Sequence, residues 1–206
     1  MTTIAWDGML LAADSLVRYY TNSVETSVTD VDKIFPSKAV ISGENVVAIS
    51  GTGFTDIVAE AIMCIEKGIT DFNTSEAFIA ATRKCLINVP EKLMGCSTVI
   101  AIGETKVFSY VINFKGLDLP EIILTAYDKK TTAVWSGSGH DALIKEGVKV
   151  GTINSLQVIR KAILIDPHTG GNFVQIYDDS NKLFYKMKRS SFRYKVLNFV
   201  YGLVRR

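Results

Sequence analysis

The order of its short periodic segments is what most constrains this chain. A block of strand-like runs is followed by two adjacent helical stretches, more strands, a second pair of helical stretches and final strands. Residues 2–6 and 9–14 read as a hairpin around Asp7-Gly8, since D-G is a preferred hairpin turn. Further strands are expected over 39–42, 46–50, 98–102, Lys106–Asn113 and 132–136, which are rich in Val, Ile and Thr and separated by Gly, Asn or Asp. Helical spacing puts Ile57 or Val58, Ala61, Ile62 and Ile65 on one face. It does the same for Ala77, Phe78, Ala81 and Cys85, with Thr74 or Ser75 as N-cap. The second helical pair covers 140–146 and Ser155–Ile165, ahead of strands at Phe173–Asp178 and Leu183–Lys188. Strands and helices in separate runs point to an α+β fold and not to a parallel βαβ sheet.

A chain of 206 residues with 48% hydrophobic content suits one domain over 1–206 with a single substantial core. Its apolar runs fall far short of the roughly 20 residues a spanning helix needs. The opening MTTIAWDGMLLAAD carries acids at Asp7 and Asp14 and alternates like a strand, so it is expected to belong to the fold and not to a secretory signal. Cys64, Cys85 and Cys96 are odd in number and lack metal-ligand spacing, which favours a reducing cytoplasm and buried thiols. The net charge of +2 hides an asymmetry. Residues 182–206 hold eight Lys or Arg and no acid, whereas the first 181 hold 15 basic and 21 acidic groups.

The chemistry begins at Thr2. Methionine is readily trimmed before small residues, and a chain starting at Thr2 carries nucleophile and base in one residue: the hydroxyl attacks a carbonyl and the α-amine takes the proton. A free α-amine has a pKa of about 8, and a neighbouring lysine cation lowers it. Such a site therefore calls for a buried lysine beside a carboxylate. A chain that keeps Met1 lacks the free amine on Thr2.

The segments T-T-I-A, L-L-A-A-D-S, D-K-I-F and I-S-G-T-G-F-T-D resemble, in that order, the leading segments of proteasome β subunits and the bacterial HslV peptidase. Later, Asp166-Pro167-His168-Thr169-Gly170-Gly171 resembles the family pattern of Asp, two variable residues, Ser or Thr, then Gly-Gly, and S-G-S-G around Ser138 resembles the segment carrying another supporting hydroxyl. The resemblance implies Thr2 as nucleophile, Asp14 and Lys33 as its charged partners, Gly51 as the oxyanion N–H, and Ser138, Asp166 and Thr169 around the nucleophile and its amine. Lys33 falls in a strand-like stretch, where Asp14 offsets its desolvation. Gly51 falls where a strand gives way to a helix, its amide free of any side chain. The interval from Thr2 to Asp14 is a few residues shorter than in typical β subunits and that from Asp14 to Lys33 a few longer, so the first hairpins are expected to be remodelled. No propeptide beyond Met1 is expected, as in HslV.

The resemblance further implies a four-layer αββα sandwich, a homo-oligomeric ring, peptide or unfolded-protein substrates, and an ATP-dependent unfoldase as partner. Ile49 is expected to line the pocket for an apolar substrate side chain. No cofactor or metal is expected, because the carboxylates do not cluster at ligand spacing and neither His140 nor His168 forms a triad. In the basic C-terminal strand and helix over 182–206, Phe192, Val196, Phe199, Val200 and Leu203 share a helical face with Ser190 as cap, which reads as packing on the body. Contact with an acidic partner, nucleic acid or an anionic membrane is the other reading. Two alternatives keep the fold: a catalytically silent ring-forming assembly protein, and an amidase acting on small amides with the same nucleophile.

Overall fold

A computed structural model describes residues 2–21, 24–88, 95–114 and 119–188. The expected helix after Ser190, and Met1, lie outside the described residues. The elements are β1 (Thr3–Trp6), β2 (Leu10–Asp14), β3 (Leu16–Thr21), β4 (Val24–Asp30), β5 (Ile34–Pro36), β6 (Val40–Ile41), β7 (Glu44–Thr52), α1 (Thr55–Glu66), α2 (Glu76–Asn88), β8 (Cys96–Gly103), β9 (Lys106–Asn113), β10 (Glu121–Asp128), β11 (Val134–Gly137), α3 (Ser138–Lys145), α4 (Ser155–Ile165), β12 (Phe173–Asp178) and β13 (Leu183–Lys188). The chain is an α+β protein. Among the described residues, no helix is long and apolar enough to cross a membrane.

One antiparallel sheet runs β11-β1-β2-β12-β13 and a second β10-β9-β8-β7-β5, with the β3–β4 ribbon apart. Side-chain alternation explains how both faces of each sheet are used. In β1, Ile4 and Trp6 enter a core that also takes Leu11, Ala13, Ala48, Ile100 and Ile102, so this core lies between the sheets. The intervening Ala5 and Ala12 face the other way, against Leu143 of α3 and Val158, Ile159 and Ala162 of α4. In the second sheet Ile49, Val99 and Ala101 point outward, under Ile57, Ala61 and Ile65 of α1 and Phe78 of α2.

Local signals set several boundaries. The first turn is an Asx turn: Asp7 Oδ1 accepts from the N–H groups of Met9 at 3.0 Å and Leu10 at 2.8 Å. Helix α4 opens with a capping box, Asn154 Oδ1 accepting from Gln157 N at 2.9 Å while Gln157 Oε1 accepts from Asn154 N at 3.1 Å.

Four expectations are corrected. Strands β3, β4 and β10 occupy stretches with no strand foreseen, and the ribbon β3–β4 fills the interval between Asp14 and Lys33. Lys33 lies in the connection between β4 and β5, just outside the strand expected to contain it. Helix α3 begins at Ser138, two residues before the foreseen start, so Ser138 is its first residue. Of the three free thiols only Cys64 is buried, and Cys96 is exposed at the start of β8.

Candidate active site

Strand β1 and the loops around it gather the candidate residues at one end of the inter-sheet core. Thr2, Lys33 and Gly51 line one cavity of about 130 Å³, whose apolar wall includes Val17, Val31, Phe35, Val58, Ala59 and Ile62. Thr2 is held by its carbonyl, which accepts a hydrogen bond from Thr52 Oγ1 at 2.6 Å. Gly137 makes this placement possible: its φ is +100°, and a Cβ there would lie 1.7 Å from the Thr2 carbonyl oxygen. Any side chain at that position would drive the start of β1 out of the sheet.

Behind the cavity Lys33 Nζ donates to Asp14 Oδ1 at 3.3 Å and to the Leu16 carbonyl at 2.5 Å. Lys33 is 5% exposed and Asp14 is 0% exposed. Taking such ions out of water costs several kcal/mol each, and a hydrogen bond to a charged group returns about 1.5–3 kcal/mol. The pair therefore depends on the other donors around the carboxylate. Thr3 N reaches Oδ1 at 2.8 Å, and Gly170 N and Leu16 N reach Oδ2 at 2.9 and 3.3 Å. Burial pushes the Lys33 ammonium below the ordinary lysine pKa, opposed by the charges of Asp14 and Asp30. Burial likewise pushes Asp14 up, opposed by Lys33 and the N–H groups of Gly170 and Thr3. Proton affinity near Thr2 is thus set by a desolvated pair.

The loop after α4 carries the second cluster. Asp166 Oδ2 accepts from Ser138 Oγ at 2.6 Å and from Thr169 Oγ1 at 2.5 Å, and Asp166 Oδ1 accepts from His168 N at 3.0 Å. Burial acts to raise the Asp166 pKa, but the Ser138 and Thr169 hydroxyls, the His168 N–H and the His168 charge together hold it below the usual carboxylate value. Thr169 Oγ1 lies 2.5 Å from Thr3 Oγ1, which also accepts from Gly139 N at 3.0 Å. The residue bonded directly to this cluster is thus Thr3, next to Thr2 in the chain. The glycines after Thr169 tie the loop to the Asp14 corner, as Gly170 O accepts from Ser15 N at 3.1 Å and Leu16 N at 3.2 Å.

Seven of the eight residues singled out from sequence fall in this connected region; Ile49 does not join the cavity. It is 1% exposed in the core beneath α1, because it shares the helix-facing side of β7 with Gly51 but sits two residues deeper. Gly51 itself lies inside β7, and the strand-to-helix turn comes later, at Gly53 and Phe54. Its lack of a side chain has a packing cause: a Cβ would lie 2.2 Å from Val58 Cγ1 of α1. His168 contributes its backbone N–H, and His140 Nδ1 lies 3.3 Å from Asp141.

Sequence reasoning missed Thr3, Thr52 and Gln175. The first two lie inside segments quoted above, T-T-I-A and I-S-G-T-G, yet their bonds join residues 166 and 50 positions apart. No local pattern reports such pairings. Among the described residues, no group of three or more His, Cys, Asp or Glu side chains is placed to hold a metal ion. No family model matches the chain, and no curated protein matches it in sequence.

Proposed function

We propose that this chain is a threonine peptidase of the proteasome and HslV type, which hydrolyses peptide bonds once Thr2 is the first residue of the chain. The observation that carries the reading is the convergence of Thr2, Lys33 and Gly51 on one cavity, with the buried Asp14 paired to Lys33 behind it. In this reading the packing of helix pairs outside two facing sheets is the αββα sandwich of N-terminal-nucleophile hydrolases, formed by a single domain.

The chemistry follows from the groups present. The Thr2 hydroxyl attacks the scissile carbonyl carbon and its proton passes to the Thr2 α-amine, directly or through one water. The Lys33 cation beside that amine favours its neutral, proton-accepting form. Negative charge developing on the carbonyl oxygen is met by the Gly51 N–H. The amine returns its proton to the leaving nitrogen, leaving an ester on Thr2, and water hydrolyses that ester to free the enzyme. Ser138, Asp166 and Thr169 fix the start of β1 through Thr3, and Thr52 fixes the Thr2 peptide plane. The apolar wall supports selection of an apolar side chain on the acyl side of the scissile bond.

A homo-oligomeric ring fed by an ATP-dependent unfoldase, in the cytoplasm, completes the proposal by analogy with the family. The test is hydrolysis of an unstructured fluorogenic peptide by the wild-type chain and by Thr2→Ala. Activity in the first and none in the second is expected, and equal activity in both would overturn the reading.

A further inference from the structure

Strand β5 is the edge of its sheet, paired with β7 through Ile34↔Ser50, Phe35↔Ile49 and Pro36↔Ala48. Its other edge faces the first sheet, where a bare backbone N–H or carbonyl would be buried without a partner. One side chain meets that demand. Gln175, on β12 and 6% exposed, accepts from Lys33 N at 2.6 Å and Ile34 N at 2.8 Å through Oε1, and donates through Nε2 to the Ile34 carbonyl at 2.6 Å. The amide thus completes β5 as a neighbouring strand would and joins the two sheets immediately beside Lys33.

The same element sets the other half of the ion pair. Strand β12 pairs with β2 in the register Val174↔Asp14 and Gln175↔Ala13, so Gln175 and Asp14 sit on adjacent strands. Lys33 lies outside any strand and has no ladder of its own to fix its backbone. We infer that Gln175 is a positioning residue for the proposed peptidase: by gripping the Lys33–Ile34 backbone from β12 it sets where the Lys33 ammonium sits relative to Asp14 and Thr2. The inference rests on the peptidase reading for its kinetic consequence, but the positioning itself can be observed without turnover.

The mechanism requires the Lys33 ammonium to be desolvated and aimed, and a displacement of about 1 Å in such a group can cost on the order of a hundredfold in rate. A lysine freed from the grip would also regain water, removing the burial that holds its pKa down against the charges of Asp14 and Asp30. The test compares the full-length chain with Gln175→Met, which keeps bulk and removes both amide atoms, and Gln175→Glu, which keeps the acceptor for the two N–H groups. Two quantities are read: peptide kinetics, and the pH titration of the Lys33 ammonium by lysine-labelled NMR, assigned with Lys33→Met.

Gln175→Met is expected to lose about ten- to a hundredfold in kcat, with KM within about twofold, and to show a Lys33 titration shifted upward. Gln175→Glu is expected to recover part of the kcat. If Gln175→Met does not fold, the neutral Gln175→Asn, one methylene too short to hold both Ile34 N and Ile34 O, carries the same test, with a Lys33 titration again shifted upward. A folded Gln175→Met, or a folded Gln175→Asn in its place, with wild-type kcat and an unmoved Lys33 titration would overturn the inference. A wild-type chain without peptidase activity, but with the Lys33 titration moving upward in Gln175→Met or Gln175→Asn, would uphold the positioning and overturn the peptidase reading.

Discussion

Two lysines are buried to nearly the same degree, Lys33 at 5% and Lys129 at 4% exposure, at opposite ends of the β1–β2 hairpin. Lys129 follows β10, and its carbonyl accepts from Trp6 Nε1 at 3.2 Å. Its three ammonium N–H groups meet three oxygens: Asp179 Oδ1 at 2.8 Å, Gly103 O at 2.7 Å and Glu104 O at 3.4 Å. Asp179 is shared in turn with Lys182 and the Tyr177 hydroxyl. Among the described residues Lys33 has two such bonds, to Asp14 and Leu16, and it lines a cavity together with Thr2. The first lysine is closed into the structure and the second opens onto the cavity that Thr2 also lines. Burial of a cation alone does not mark a site; its unspent side does.

The largest effect expected follows from that difference. Lys33→Ala should lower kcat for peptide hydrolysis by about 10³-fold or more while the chain stays folded, because Asp14 keeps N–H bonds from Thr3, Gly170 and Leu16. Lys129→Ala should leave kcat within about twofold and instead cost about 2 kcal/mol of stability in urea unfolding, by taking the ammonium donor from the Gly103 and Glu104 carbonyls while Asp179 keeps Lys182 and Tyr177. Equal kinetic damage from both substitutions would erase the distinction between the two ends.

Next in size, Gly51→Ala should cost about ten- to a hundredfold in kcat, since the new Cβ would collide with Val58 and move the strand edge beside Thr2. Adding Val58→Ala should restore most of that loss, and a double mutant no better than the single would show that packing is not the reason for glycine there. Thr52→Val should cost about tenfold in kcat and about 1 kcal/mol, by leaving the Thr2 carbonyl without its donor. Steady-state kinetics beside thermal unfolding separates the two parts.

The smallest effect concerns pH. The folded Asp166 pKa is lowered, because hydrogen bonds and the nearby His168 outweigh burial. Its contribution to stability is therefore fully present above the unfolded value of about 3.9 and is lost as pH falls through the folded value. Ser138→Ala removes one of those bonds, so it should cost about 1 kcal/mol at pH 7 and progressively less below pH 4. Urea midpoints at pH 7 and pH 3 measure this, and an equal loss at both would assign Ser138 no link to Asp166.

Much of the fold was legible where a local signal existed. Helix α4 has its bounds as read, since a capping box starts it and Asp166-Pro167 follows its end. Strands β9, β12 and β13 also match their expected ranges. Strand β10 was missed because Glu121–Asp128 is exposed or half-buried throughout, so it gives no clean alternation between apolar and polar residues. The ribbon β3–β4 was passed over, and β5 was foreseen only as a strand-like stretch at Lys33. At the site, Thr2, Asp14, Lys33, Ser138, Asp166 and Thr169 came from resemblance to a family, and the geometry brings them together. Thr3, Thr52 and Gln175 act through bonds to distant backbone or side-chain atoms, which spacing along a chain cannot announce. Ile49 was misplaced because position along β7 was read without its depth beneath α1.

The central claim is that Thr2 is an N-terminal nucleophile, and a peptide epoxyketone tests it most directly. Such a compound closes a ring by adding the Thr2 hydroxyl to its ketone and opening its epoxide with the Thr2 α-amine. No atom leaves, so the chain should gain the full inhibitor mass. Intact-mass analysis followed by peptide mapping should show loss of Met1 and one inhibitor per chain, on Thr2, with the adduct absent in Thr2→Ala. A chain that begins at Thr2 and stays unmodified by millimolar inhibitor, or one modified at another residue, would contradict the account.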